Sequence, residues 1–202
     1  MSELIRSAIF AGIAVGTAGF GNLAVGGLIG AVLFSFGLLT VLSYKLKLYT
    51  GTAGFFVRGE FGSLFLILLG NIIGCFIVGL LARVSPLGLP ETAQKILEGR
   101  LATGAIRCGL LGIGCGFVMT TAITFARKGN VLLLLLGIPL FIYCGFTHCI
   151  ADAFYYLAVP FEFLGQHWKE VLGVYVCIVI GNFIGCNLYR IFFPEKSVND
   201  CF

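Results

Sequence analysis

The hexapeptide GNIIGC at residues 70–75 recurs as GNFIGC at residues 181–186, with five of six positions identical. Small residues four positions apart are common in membrane helices, because they let two backbones approach closely. That spacing alone is weak evidence, but an asparagine and a cysteine recur with it. We therefore interpret the hexapeptides as an internal repeat that divides the chain into two related halves.

The composition identifies lipid as the solvent around both halves. Of the 202 residues, 59% are hydrophobic and 11% are charged, whereas ordinary soluble domains contain about 45–50% apolar and about 25% charged residues. So few charges cannot cover a water-facing surface, which excludes a soluble globular domain. The net charge of +4 is spread over separate connecting segments, and without a basic stripe we expect no nucleic-acid partner.

Six apolar stretches are long enough to cross a bilayer of about 30 Å as helices. They are residues 5–24, 27–46, 62–82, 105–126, 131–157 and 171–193. We therefore predict an all-α membrane protein with a single transmembrane domain over residues 1–202. Three helices fall in residues 1–82 and three in 105–202, on either side of a polar linker at 83–104. Three is an odd number, so the second repeat is inverted relative to the first, as in many transporters and channels.

The second and fifth stretches are predicted to be broken helices. The second continues past Lys45 and Lys47 into an irregular segment at 48–54. The fifth has 27 residues and contains Pro139 and Gly145. As one straight helix it would measure about 40 Å, so a break near Gly145 is more plausible than extreme tilt. Paired interruptions in corresponding helices indicate a transport site.

The distribution of positive charge predicts the orientation in the cell membrane. If the first helix starts inside, eight of the 13 Lys and Arg residues lie on the cytoplasmic side and five lie outside. The inside set is Arg6, Lys45, Lys47, Arg58, Arg127, Lys128, Arg190 and Lys196. The outside set is Arg83, Lys95, Arg100, Arg107 and Lys169. The excess inside favours a multi-pass protein with both termini in the cytoplasm.

His148 is the main candidate for chemistry, because it is an ionisable residue deep in the fifth stretch. Such residues are expensive in lipid and usually functional, although a neutral histidine bonded to a backbone carbonyl is the simpler alternative. Asp152 follows four residues later, so on a helix the two side chains share a face. Asp152 either pairs with the imidazole, or it holds the histidine tautomer or caps a broken helix. Thr147 and Thr50 are candidate caps of half-helices whose positive ends face an anion.

Enzymatic and metal chemistry find little support in the sequence. The chain has no CxxC pair and no Cys/His cluster with zinc spacing, so we expect neither a metal nor a cofactor. Asp152 with His148 is the one acid–base pair, and it lacks a third member. The open alternatives are a pore for small neutral solutes, although the Asn-Pro-Ala pair of aquaporins is absent, and a membrane-embedded structural subunit. Lys95 and Arg100 either collect anions at the outer mouth or are ordinary solvated loop charges.

Four motifs together resemble the formate/nitrite transporter family over nearly the whole chain. They read FSFGL at 34–38, KLYTG at 47–51, GFTHCIAD at 145–152 and GNFIG at 181–185. Three positions depart from the family pattern. Lys47 stands where the family has an acidic residue, Thr147 replaces a glutamate before the histidine, and Asp152 replaces an asparagine.

This resemblance implies an aquaporin-like six-helix fold assembled as a homopentamer in the lipid bilayer. Each protomer then has its own pore for small monovalent weak-acid anions such as formate, nitrite or hydrosulfide. His148 is implied as the central pore histidine, with protons as a second partner and Thr50 as its hydrogen-bonding neighbour. Asp152 is placed in the same relay. The resemblance also selects the constrictions, Phe34 with Phe141 on the outer side and Leu38 with Leu48 on the inner side.

Overall fold

The computed structural model describes residues 2–55 and 59–192, and every regular element in these ranges is a helix. The elements are α1 (Glu3–Val25), α2 (Gly27–Leu33), α3 (Ser35–Ser43), α4 (Tyr49–Ala53), α5 (Phe61–Arg83), α6 (Leu89–Thr103), α7 (Ala105–Arg127), α8 (Leu132–Tyr143), α9 (Cys149–Ala158), α10 (Phe161–Cys186) and α11 (Leu188–Phe192). The all-helical prediction is confirmed. Arg58, Phe193 and Lys196 lie outside the described residues.

Four helices in the described ranges, α1, α5, α7 and α10, are long and apolar enough to cross a membrane. They form two extensive pairs, α1 with α5 and α7 with α10. Glycines make this close approach possible. A Cβ at Gly12 would clash with the backbone carbonyl of Asn71, and a Cβ at Gly116 would clash with that of Asn182. The two hexapeptides therefore perform the same packing task in their respective pairs.

The predicted interruptions of the second and fifth stretches are present. The second stretch forms α2 and α3, then an irregular segment over 44–48, then the short helix α4. The interruption therefore lies before the segment predicted to be irregular, 48–54, most of which is helical. The fifth forms α8, an irregular segment over 144–148, and α9.

Both breaks begin with the same turn, because α3 and α8 end in matching Schellman motifs. The residue just past each helix has a positive φ, 52° at Lys45 and 68° at Gly145. The following amide donates to the carbonyl five residues earlier, at 2.8 Å in the first break and 3.0 Å in the second. Only the second break has the glycine that this conformation favours, and Lys45 carries a cost of roughly 1–2 kcal/mol as a non-glycine residue.

Two sequence predictions about helix boundaries need correction. Most of the polar linker at 83–104 is the helix α6, which starts with a proline in its first turn and buries Leu89, Ala93 and Leu97 on one face. The sixth helix starts at Phe161, ten residues before the predicted start at 171. Its first turns carry charged and polar side chains that are exposed, so hydropathy alone missed them.

Candidate functional site

The asparagine of the first hexapeptide closes the first break. Asn71 is completely buried, and its side-chain amide donates to the carbonyls of Ala8 at 2.8 Å and Lys47 at 2.9 Å. Its Oδ1 accepts the backbone N–H of Tyr49 at 2.8 Å. Helix ends leave backbone groups without intrahelical partners. Asn71 therefore satisfies the backbone groups on both sides of Leu48, where the break meets α4, and ties them to α1.

The asparagine of the second hexapeptide does the same for the second break. Asn182 is also completely buried. Its amide donates to the carbonyls of Gly112 at 3.0 Å and Thr147 at 2.8 Å, and its Oδ1 accepts the N–H of Cys149 at 2.9 Å. The bonded positions correspond one to one with those around Asn71.

The cysteines of the hexapeptides link each half of the chain to the short helix of the other half. The Cys75 thiol contacts the carbonyl of Ile150 at 3.4 Å. The Cys186 thiol contacts the carbonyl of Thr50 at 3.6 Å. These crossed contacts bring α4 and α9 together at the centre of the molecule.

His148 and Thr50 meet at this centre. The imidazole Nε2 lies 3.1 Å from Thr50 Oγ1, and Nδ1 accepts the N–H of Ala151 at 3.1 Å as the N-cap of α9. A neutral imidazole that accepts at Nδ1 carries its proton on Nε2. We therefore assign the donor role to Nε2, with Thr50 Oγ1 accepting, which leaves the hydroxyl proton of Thr50 for another acceptor.

The structure corrects the expected roles of both threonines as caps. Thr147 does not cap α9, because its hydroxyl donates to the carbonyl of Cys108 at 2.7 Å and His148 takes the cap position. Thr50 lies within α4, whose N-cap is Leu48. Its hydroxyl faces His148 instead.

Asp152 pairs with an arginine rather than with the imidazole. Its Oδ1 lies 3.2 Å from Nε of Arg100. The same guanidinium donates to the carbonyls of Gly145 at 2.9 Å and Phe146 at 3.4 Å. Of the alternatives left open for Asp152, the side-chain pair with His148 is therefore not formed, and the Arg100 guanidinium is bonded within the protein rather than being a solvated loop charge.

A pair of aromatic rings lies beside the imidazole, and one of them stacks on it. Phe141 stacks on His148 with ring centroids 5.5 Å apart, and Phe34 meets Phe141 edge-on at 5.9 Å. Phe34 and Phe141 are both buried. The structure thus brings together the two residues that the resemblance assigned to the outer constriction, and it places Phe141 against the candidate histidine.

The other predicted pair, Leu38 and Leu48, lines a cavity of about 620 Å³. Both leucines are about 1% exposed. The cavity is lined by Leu38, Val41, Leu42, Lys45, Leu46, Lys47, Leu48, Gly51, Thr52, Phe55, Glu60, Ile123, Ala126 and Arg127. Three of its four charged residues are cations, and all three belong to the predicted cytoplasmic set. Such a mouth raises the local concentration of anions.

Long apolar helices around a buried polar centre define the class of the molecule as a multi-pass helical membrane protein. The family model described as formate/nitrite transporter matches residues 1–193. The chain belongs to that family, as the motifs predicted. The family consists of channels and transporters rather than enzymes, and within the described residues no group of three His, Cys, Asp or Glu side chains is arranged to hold a metal ion.

Solved structures show the same fold. A structure titled "Pentameric formate channel with formate bound" is 19% identical, with a TM-score of 0.78 over 96% of this chain and 95% of the other. A structure titled "FNT family ion channel" is 17% identical, with a TM-score of 0.77 over 96% of this chain and 90% of the other. A comparison with curated proteins found no match.

Proposed function

We propose that the protein is a channel for small monovalent weak-acid anions of the formate, nitrite or hydrosulfide class. In this proposal the pore runs from the charged cavity past Leu38 and Leu48, along Thr50 and His148, to Phe34 and Phe141. The observation that carries the proposal is the 3.1 Å contact between His148 Nε2 and Thr50 Oγ1, with Phe141 stacked on the imidazole. Family membership and the formate in a structural relative support the substrate class.

Energetics favour passage of the neutral acid through the constrictions. The idealised cost of moving a bare small anion into a medium of low dielectric is on the order of 20 kcal/mol. An acid with a pKa near 4 reaches its neutral form at pH 7 for roughly 4 kcal/mol. Protonation at the centre is therefore the cheaper route. His148 is the proposed proton donor or relay, and Thr50 orients the substrate with its free hydroxyl proton.

The N-cap of α9 couples the protonation state of the His148 imidazole to the start of this helix. Nδ1 accepts the Ala151 N–H at 3.1 Å, so a second proton on Nδ1 displaces this amide from its acceptor. Loading a proton onto Nδ1 therefore opens the cap. Passing the Nε2 proton to the substrate leaves the neutral ring protonated on Nδ1, so the cap is restored only when Nε2 takes up a proton and Nδ1 releases one. This coupling supports a transient relay rather than a fixed positive charge.

We further propose that the chain forms six membrane-spanning segments in two inverted three-helix repeats, with repeats at 1–82 and 105–202 and a connection at 83–104. The matching Schellman turns, the matching asparagine bonds and the crossed cysteine contacts support this arrangement. A homopentamer in the cell membrane, as in the pentameric structural relative, completes the proposal. Lys45, Lys47 and Arg127 around one mouth support cytoplasmic termini.

The test of function is flux through the purified protein in liposomes. Stopped-flow uptake of formate, nitrite and hydrosulfide is recorded over a pH series. We expect uptake well above that of empty liposomes for at least one of these acids. Absence of uptake for all three, together with permeation of a small neutral solute, would contradict the proposal and favour an aquaporin-like pore.

Thr50→Val is expected to slow flux by about three- to tenfold, because one hydrogen bond is worth about 0.5–1.5 kcal/mol. Valine keeps the shape of the side chain but removes both the acceptor for His148 Nε2 and the free hydroxyl proton. Thr50→Ser keeps the hydroxyl and is the matched control. Equal flux in the valine and serine variants would remove Thr50 from the mechanism.

The cavity charges are expected to set the rate of anion entry from that side. Lys45→Glu combined with Lys47→Glu reverses the charge beside Leu48, so we expect about two- to tenfold slower entry at low salt, with the effect fading as salt screens the charges. Lys95→Glu, an exposed change on α6 away from this cavity, is the control. A salt-independent loss would indicate a folding defect rather than steering.

A further inference from the structure

Arg100 is an arginine of α6 that reaches into the second break. Its side chain is 19% exposed, while its partner Asp152 is 1% exposed. The guanidinium bonds to Asp152 Oδ1 at 3.2 Å, to Gly145 O at 2.9 Å and to Phe146 O at 3.4 Å. Two of these acceptors precede His148 and the third follows it. The Arg100 side chain therefore bonds to residues on both sides of His148 in the sequence.

The first break is held differently. The position that corresponds to Asp152 is Thr52, and its hydroxyl donates within the short helix to the carbonyl of Leu48 at 2.8 Å. An arginine also contacts the first half, where Arg127 donates to the carbonyl of Gly51 at 3.1 Å, but the ion pair with a carboxylate at this position belongs to the half that carries the histidine. It is an addition to the asparagine closure that the two halves share.

We propose that Arg100 is a positioning residue for His148. By fixing the Gly145 and Phe146 carbonyls relative to Asp152, it sets the direction in which the imidazole presents Nε2 to Thr50. The inference rests on the proposed function of His148, since positioning matters for transport only if the imidazole acts there.

The connection from Arg100 to the imidazole is short. The amide of Asp152 donates to the carbonyl of His148 at 2.8 Å, and the amide of Ala151 donates to Nδ1 at 3.1 Å. A shift of the first turn of α9 therefore moves both the backbone and the ring of the histidine. The preceding turn, at Gly145 and Phe146, is bonded to the same guanidinium.

An arginine suits this place better than a lysine does. Its planar guanidinium has five N–H donors in a fixed arrangement, so it serves three acceptors at once, whereas an ammonium is a point charge. The positive charge of Arg100 also neutralises the carboxylate of Asp152. Asp152 Oδ2 is buried and has no hydrogen-bond partner within residues 2–55 and 59–192, so Arg100 is the cation on which this carboxylate depends.

The histidine content of the chain makes a direct test possible. The chain has only two histidines, His148 and His167. In protein labelled with ¹⁵N-histidine, NMR distinguishes protonated from unprotonated ring nitrogens at both sites. We expect the wild type to show His148 with a bare Nδ1 and a protonated Nε2. His167 lies on α10 beside Phe163 and serves as the internal reference.

The decisive variant is Arg100→Met combined with Asp152→Asn. Arg100→Met alone would leave the buried Asp152 carboxylate without a cation and could prevent folding. The double variant also removes the carboxylate charge, so we expect it to fold. We expect its His148 signals to become a mixture of tautomers while those of His167 stay unchanged. Flux is expected to fall by about tenfold or more relative to Asp152→Asn alone, since small misplacements of a reacting group slow its step strongly.

Two single variants distinguish a positioning role of Arg100 from a role as a counter-charge. Asp152→Asn keeps the guanidinium and its two bonds to carbonyls, so the His148 signals are expected to match the wild type. Lys95→Met is an exposed change on the same helix and should leave both histidines as they are. Wild-type His148 signals and undiminished flux in the double variant would show that Arg100 is merely a counter-charge, and the proposal would be overturned.

The outcomes also separate this inference from the proposed function. If the wild type carries no weak acid but the double variant still shifts the His148 signals, the channel function fails and the positioning role stands. If the wild type conducts through a His148-dependent route and the double variant changes neither readout, the function stands and the positioning role fails.

Discussion

Replacing His148 with asparagine is expected to lower formate flux at pH 7 by about tenfold or more and to change the way flux depends on pH. Bringing an acid with a pKa near 4 to its neutral form at pH 7 takes roughly 4 kcal/mol. That free energy corresponds to a factor of up to about a thousand in rate. Without the imidazole, only the protonated acid already present in bulk water passes, so flux should simply follow the titration of the acid.

The substrate series sharpens this expectation. Hydrosulfide belongs to an acid with a pKa near 7, which is about half neutral at pH 7. His148→Asn should therefore slow formate far more than hydrosulfide. A uniform loss for both would indicate a blocked pore rather than a missing proton relay.

Two variants at this site separate the structural contributions of the ring. Asparagine is a good N-cap residue, so His148→Asn keeps a cap on α9. His148→Phe keeps an aromatic ring against Phe141 but removes both nitrogens and the cap. His167→Asn, at the other histidine, is the control. Liposome flux is measured for all three variants across a pH series. A His148 variant whose flux has the wild-type pH profile would contradict the relay mechanism.

The sequence identified the hexapeptides as a repeat, but it did not predict the bonds that their asparagines and cysteines make to the two breaks, because those partners are distant along the chain. Glycine and excess length indicated the break at Gly145. The turn after Tyr44 has no glycine, and the sequence placed the irregular segment a few residues too late, at 48–54, where the structure has the short helix α4. Both breaks are present, and they end α3 and α8 with the same turn.

The partner of Asp152 was not predictable from the spacing to His148. Residues four apart share a face only inside a helix, and His148 is the N-cap residue of α9 rather than a residue of its interior. The actual partner, Arg100, is 52 positions away, in a segment read as a polar linker. That segment did carry a helical signal in the spacing of Leu89, Ala93 and Leu97, which lie four residues apart and are buried.

The second large effect is expected from the hexapeptide asparagines. Asn71→Ala and Asn182→Ala each remove three hydrogen bonds from a completely buried site. A buried donor or acceptor left without a partner costs about 1–3 kcal/mol, so each variant should lose about 3 kcal/mol or more of its free energy of unfolding. Thermal unfolding of the purified protein in detergent measures the loss, with the exposed Asn130→Ala as control.

The comparison between the two asparagines also tests the relation between the halves of the chain. Asn71 closes the break that carries Thr50, and Asn182 closes the break that carries His148. If the halves are equivalent repeats, the two alanine variants should be destabilised to a similar extent, because the lost bonds correspond one to one. Only Asn182→Ala should also disturb the NMR signals of His148, since it frees the amide of Cys149 directly beside the imidazole. Strong destabilisation by one variant and none by the other would contradict the equivalence.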